Sequence, residues 1–279
     1  MKNLKVQISL MFKRQNFYVI MMIMVLLSVS LFFVNCLSTY GEWIYSVPAA
    51  KYLFLGSMHY NNQIPMIFSL IIPIVTVLPF ADSFFEDREK HTVEYCLTRC
   101  DNNKYYYSKL FVVFFSGAIV MFVPLLINYL LNFIAFPLDS YMDFTRLSAD
   151  QTWIYRTLLD RLIMFKNLMV SNPYVYLLLH IVLFSVAGGL MAVVSFQISF
   201  FYKKSRIKLV CAFFIIYHLY SMILDGIGIT EFDFSNYLFA YSSGSTQSIR
   251  GAVFTWSALV LAAFLPIPFA KRKLNDVSI

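Results

Sequence analysis

Residues 80–110 read FADSFFEDREKHTVEYCLTRCDNNKYYYSKL. This charged, Tyr-studded segment lies between two stretches built mostly of Leu, Ile, Phe, Val and Met. Of the 279 residues, 59% are hydrophobic and only 13% are charged, and the mean hydropathy is +0.68. A soluble domain is about one quarter charged. Most of the surface must therefore face something other than water, and residues 80–110 are one of the few places where the chain is written for an aqueous edge.

Working outward from that segment, six apolar runs are long enough to cross a bilayer, which takes roughly 17–25 residues. They cover 17–38, 64–85, 108–136, 174–201, 207–225 and 252–270. Open sheets cannot span lipid, because their edge amides and carbonyls would be left without partners. The expected fold is an all-α membrane protein of six transmembrane helices forming a single domain over 1–279. The third and fourth runs are long enough to need tilt or extra turns outside the membrane.

Lys and Arg concentrate on the cytoplasmic side of membrane proteins. With the N-terminus inside, sixteen of the basic residues fall on inner segments and six on outer ones. Both termini are thus expected in the cytoplasm of a multi-pass plasma-membrane protein, bacterial in character. The net charge of +7 follows from this topology, so no nucleic-acid partner is expected. The N-terminal apolar run is too long for a secretion signal and no small-x-small cleavage site follows it. Cys36, Cys96, Cys100 and Cys211 are scattered. Cys96 and Cys100 could contribute two metal ligands, but no third and fourth are evident, so no metal site is expected.

Residues 1–16 place Leu4, Ile8, Met11 and Phe12 among Lys and Arg at helical spacing, predicting an interfacial helix against membrane lipid. The first outer loop carries Trp43, Tyr45, Tyr52 and Tyr60, residue types that anchor at the lipid–water boundary. In the second outer loop, Ser148 and Gln151 fit a capping box. Ile154, Leu158, Leu162, Phe165 and Met169 then recur at helical spacing. An amphipathic outer helix over 148–170 is expected, stopped at Asn172-Pro173. The third outer loop is Gly- and Ser-rich, and the stretch around Tyr237 could dip into the membrane.

Within the spans, Ser185 with Gly189 and Gly188 with Ala192 form small-x-x-x-small pairs that allow close helix packing. Polar side chains in lipid are costly and turn inward. Asn128 and Asn132 share one helical face and are candidates for interhelical hydrogen bonds or for a cargo pathway between two copies of the fold. Asn35, His180, Gln197 and His218 are further inward-facing candidates.

In the opening segment, Glu86 and Lys90 sit at i, i+4 in the favourable order. Val93 and Leu97 make a short apolar stripe, and residues 99–103 read as a turn. Residues 84–99 thus present a mixed-charge face with a small apolar centre, which is more than a plain connection requires. Glu86, Glu89, Thr92, Glu94, Leu97, Thr98 and Arg99, followed by Tyr107 and Lys109, resemble the first cytoplasmic loop of ABC-2-type exporter permeases. His91 replaces the usual Gly and Cys100 the usual Pro. The six-run layout and the basic N-terminal helix agree with the same family.

The resemblance implies a permease whose segment 84–99 is a coupling helix, with Glu86, Glu89, His91, Thr92, Val93, Glu94, Leu97 and Arg99 meeting a separate ATP-binding subunit. It implies two ATPase chains and a second permease chain, identical or related. No Gly in this sequence is followed by Lys, so a phosphate-binding loop cannot be written here. No cofactor is expected in this chain; ATP and Mg would belong to the partner. With 29 Phe, 19 Tyr and 13 Met, an amphipathic or apolar cargo is expected: a peptide, a drug or a lipid-like molecule. The alternatives are a non-transporting receptor or scaffold subunit, and a membrane-embedded enzyme. The enzyme reading lacks any H-E-x-x-H or a specified nucleophile–base pair.

Overall fold

The computed structural model describes residues 2–43, 47–56, 63–89, 101–139, 164–201, 206–240 and 247–277. Among these the chain is helical, without strands. The helices are α1 (Lys2–Lys13), α2 (Gln15–Ser38), α3 (Gln63–Val77), α4 (Ser83–Glu89), α5 (Asn102–Ala135), α6 (Lys166–Ser171), α7 (Pro173–Phe201), α8 (Arg206–Ile227), α9 (Ser235–Leu238), α10 (Ile249–Phe264) and α11 (Ile267–Val277). Short 3-10 turns cover Ala50–Tyr52 and Thr230–Phe232.

Five helical stretches are long and apolar enough to cross a bilayer: Gln15–Ser38, Asn102–Ala135, Pro173–Phe201, Lys208–Ile227 and Ile249–Lys273. The second apolar run differs from the expected 64–85 span. Its helix, α3, stops at Val77 and is too short to belong with the other five. The cause is local. Pro79 has no amide hydrogen and disfavours helical geometry at Leu78. A turn through Leu78–Asp82 follows, and the chain becomes helical again at Ser83. The last span is interrupted near a proline too: α10 ends at Phe264, ahead of Pro266, and α11 begins at Ile267.

Two other boundaries depart from simple periodicity. Arg14 is extended, at φ −76° and ψ 127°, so α1 and α2 are separate helices. In the expected outer helix 148–170, residues 148–163 lie outside the described residues. Phe165 adopts φ 60°, and α6 starts only at Lys166. A continuous helix through Phe165 is thereby interrupted.

The core is built on α7, packed along α5. Two thirds (67%) of the most apolar stretch of α7 is buried, against 11% for α8. Small residues explain the close approach. A Cβ on Gly117 would lie 2.5 Å from the Gly188 carbonyl oxygen and 2.9 Å from Ala192 Cβ. One on Gly189 would lie 2.7 Å from the Phe114 ring. Nothing larger than hydrogen fits at these points, so the backbones of α5 and α7 touch directly, and dispersion acts between them without intervening side chains. Helix α2 packs on the other part of α5, and α10 and α3 pack on α7.

Candidate functional site

Polar networks gather at both ends of this bundle. At the first end, the turn forced by Pro79 carries Asp82 and starts α4 beneath the junction of α1 and α2. Arg14, in the extended link, donates from Nη1 to Asp82 Oδ1 at 2.5 Å and from Nε to Glu86 Oε2 at 3.0 Å. Its Nη2 also pairs with Glu86, and its guanidinium lies 5.3 Å above the centre of the Phe80 ring. Burial lowers the Arg14 pKa, but the Asp82 and Glu86 carboxylates outweigh it and the net shift is upward. Arg14 is therefore a fixed positive charge in this network.

The opposite side of α4 is tied to α5. Asp87 pairs with Lys109, whose side chain is only 1% exposed. Tyr105 donates its hydroxyl to Asp87 at 2.6 Å. Lys109 Nζ also donates to the Ser83 carbonyl at 3.0 Å and to the Tyr105 hydroxyl at 3.1 Å. One turn of helix thus carries carboxylates in two directions, Glu86 toward the α1–α2 link and Asp87 toward α5. The face between them is apolar: Phe84 stacks on Phe200 of α7 with ring centres 3.9 Å apart.

At the other end, two irregular segments penetrate the bundle. Residues 47–56 bury Ala49, Ala50, Phe54 and Leu55, and residues 228–240 bury Tyr237, Leu238, Phe239 and Ala240. They join each other where the Ala240 amide donates to the Gly56 carbonyl at 2.8 Å. Non-helical backbone at such a depth needs partners from the helices around it. Neutral side chains supply several of them, while the same two segments also bury Lys51 and Asp233, the latter accepting from the Ser221 and Ser235 hydroxyls at 2.6 Å. Asn128 accepts from the Leu55 amide at 2.8 Å and donates to the Ser28 carbonyl at 2.9 Å. Asn35 and Asn132 both donate to the Leu53 carbonyl, at 3.1 and 3.2 Å. Tyr176 donates to the Ala240 carbonyl at 2.6 Å, and His180 Nδ1 lies 3.0 Å from the Leu238 carbonyl, which requires the proton on Nδ1. Gln247 donates to the Asn236 carbonyl at 2.5 Å.

Of the residues singled out in the sequence, Asn128 and Asn132 are therefore fully inside one chain, engaged with the loop 47–56. Neither lies on a surface open to another copy. Gly188, Gly189 and Ala192 sit in the α5–α7 contact, while Ser185 donates to Ile181 within its own helix at 2.7 Å. Gln197 accepts from Tyr106 at 2.7 Å. His218 Nε2 reaches the Leu70 carbonyl of α3 at 3.1 Å. Glu86 and Glu89 lie on α4. His91, Thr92, Val93, Glu94, Leu97 and Arg99 lie outside the described residues.

Sequence reading passed over Arg14, Asp82, Asp87 and Lys109 as members of one network. In the sequence Arg14 is one of the sixteen inner basic residues and Lys109 one of those that resemble the permease loop, and nothing there joins them to Asp82 or Asp87. Gly117, in the run Ser116-Gly117-Ala118, carried the same small-residue signal as Gly188 but without a matching small residue four positions away. Among the described residues no three of His, Cys, Asp and Glu converge to hold a metal ion. No protein-family model matches this chain, nor does any curated protein or solved structure.

Proposed function

We propose that this chain is the transmembrane permease subunit of an ATP-driven exporter, moving an amphipathic or hydrophobic cargo with a separate ATP-binding subunit. ATP and Mg would bind in that partner, two copies of which would act with this chain and a second permease chain. Both termini would be cytoplasmic, which puts the Arg14–α4–Lys109 end on the side where ATP is available. The observation that carries the reading is the double anchoring of α4. Its carboxylates are held by Arg14 on one side and by Lys109 on the other, and Phe84 is stacked on α7. A segment that served only as a solvated connection would need no such attachment. A segment that receives a push needs a stiff base, and residues 90–99 follow directly from this one. Displacement of α4 would reach the α1–α2 link, α5 and α7 together.

The test is association and coupling. The chain, affinity-tagged and purified from its native cells, should carry an ATP-binding subunit with it. A photo-crosslinking residue in place of Val93 should attach to that subunit. Reversing Glu89 and Glu94 to Lys should weaken the association, or uncouple ATP hydrolysis from export, at an unchanged membrane level of this chain. Wild-type association and export by the double reversal would defeat the coupling assignment. Accessibility tests the orientation: in intact cells an impermeant thiol reagent should label single cysteines placed in 148–163 and spare those near Lys203.

A further inference from the structure

Helix α1 presents three different sides. Gln7 and Met11 are buried against the bundle, where α1 packs on α5, and Leu4 and Ile8 lie half-buried on the core. Lys5, Ser9 and Lys13 recur every four residues on the side away from that contact and are exposed. Between these two sides lies a flank carrying Val6 and Leu10, which are 55% and 45% exposed. The helix cannot roll freely, because the Arg14 guanidinium at its end is fixed on Asp82 and Glu86. The order on that flank is therefore set: protein, then exposed aliphatic side chains, then ammonium groups; the opposite flank carries Phe12, 44% exposed.

That order matches a membrane boundary, where hydrocarbon gives way to phosphate over a few ångströms. We infer that α1 is a binding surface for anionic phospholipid, with acyl chains covering Val6 and Leu10 and headgroup phosphates meeting Lys5 and Lys13. Charge complementarity selects the lipid. A zwitterionic headgroup would cover the aliphatic flank equally well but would gain little from the two ammonium groups. The same end of the bundle adds to the positive field. Lys104 at the start of α5 and Arg272 in α11 are exposed, and α11 is held there by Lys271, which donates to the Tyr107 hydroxyl at 2.8 Å. An acidic protein would satisfy the lysines but would leave unexplained the aliphatic flank beside membrane-length helices. The inference is independent of the permease assignment, since it concerns only how this chain meets lipid.

The experiment uses the full chain carrying Val6→Trp, reconstituted into bilayers that mix ordinary lipid with phosphatidylglycerol or phosphatidylcholine brominated on the acyl chains. Wild-type emission is subtracted, so that the quenching reports the lipid beside α1. Quenching by both lipids is expected. The phosphatidylglycerol preference should approach about fivefold per lysine at low ionic strength, and should fall as salt is added. Combining the reporter with Lys5→Gln and Lys13→Gln should bring the two lipids close to parity, while Lys5→Arg with Lys13→Arg should keep the preference. Absence of quenching by either lipid would overturn the inference, because the flank would then not be in the bilayer. So would equal quenching by the two lipids, which would leave the lysines to an acidic protein, or a preference that survives the glutamine pair, which would move the anionic-lipid contact to other basic residues of that end such as Lys104 and Arg272. Retained phosphatidylglycerol, counted by native mass spectrometry on the protein without the tryptophan, should fall in the same glutamine variant and stay level in the arginine one.

Discussion

The two polar ends of this bundle solve the same problem with different chemistry. At the α4 end, groups with full charge are drawn together: Arg14 with Asp82 and Glu86, and Lys109 with Asp87. At the other end, Asn35, Asn128, Asn132, Tyr176, His180 and Gln247 engage backbone amides and carbonyls without any net charge. The difference follows from what has to be neutralised. A buried backbone carbonyl is a dipole, and a neutral donor is enough for it; the charges buried at that end, Lys51 and Asp233, are additional to these bonds, and Asp233 accepts from the Ser221 and Ser235 hydroxyls. The Lys109 ammonium, by contrast, is paired with the Asp87 carboxylate. The charged network is therefore strong only as a set, whereas the neutral one is a sum of modest, separable bonds. Removing one member should cost more at the first end than at the second.

The sharpest test of that contrast is Asp87→Leu. It removes the carboxylate paired with the Lys109 ammonium, which also donates to the Ser83 carbonyl and the Tyr105 hydroxyl. Losing one partner of a buried pair costs about 3–5 kcal/mol. Thermal unfolding in detergent should show a large drop, and Asp87→Leu combined with Lys109→Met should recover most of it. A drop no larger than that of the neutral substitutions below would erase the distinction between the ends.

Next in size is Gly117→Ala, at the contact that holds the two ends in register. The added methyl group would meet the Gly188 carbonyl oxygen at 2.5 Å. That oxygen belongs to the backbone, so one helix must shift against the other. A loss of about 1–3 kcal/mol is expected, and the chain should remain helical by circular dichroism.

At the neutral end, Asn128→Leu removes the acceptor of the Leu55 amide and the donor to Ser28. The unpartnered groups should cost about 1–3 kcal/mol. Hydrogen exchange gives a local readout: the Leu55 amide should lose protection while amides of α4 keep theirs. Equal loss at both ends would mean that the two networks are one cooperative unit.

The smallest change is expected for Tyr176→Phe, which deletes one hydroxyl bond to Ala240 and keeps the ring. A typical net value of about 0.5–1.5 kcal/mol applies. Its effect on exchange should be confined to residues around Ala240.

How much of this was legible beforehand depends on the range of the signal. The apolar runs are local, and the helices Gln15–Ser38 and Pro173–Phe201 stand close to the runs that composition marks. The run 64–85 was read through Pro79 because average hydropathy does not register a missing amide hydrogen. A proline alone does not mark the break, since Pro73 lies inside α3 and Pro124 inside α5; the end of α3 at Pro79 was settled by the fold. Asn128 and Asn132 were visible as an inward-facing pair, but their partners could not be guessed, since Leu53 and Leu55 offer backbone groups and those leave no mark in a residue pattern. The α4 network was hidden for another reason: Arg14 looked sufficient as a topology signal, and its partner Glu86 lies 72 residues away.

By itself, the sequence determined that this chain is helical and suited to a bilayer. Those properties depend on composition over a few turns of helix, and hydrophobic transfer acts on each run independently of the others. Only the tertiary structure decided which carboxylate holds Arg14, which glycine on α5 meets Gly188, and that two asparagines grip a loop. The Ser28 carbonyl bonded by Asn128 is 100 positions away in the chain. Such pairings are chosen by the packing of whole helices, because a buried polar group takes whichever partner the fold brings within about 3 Å.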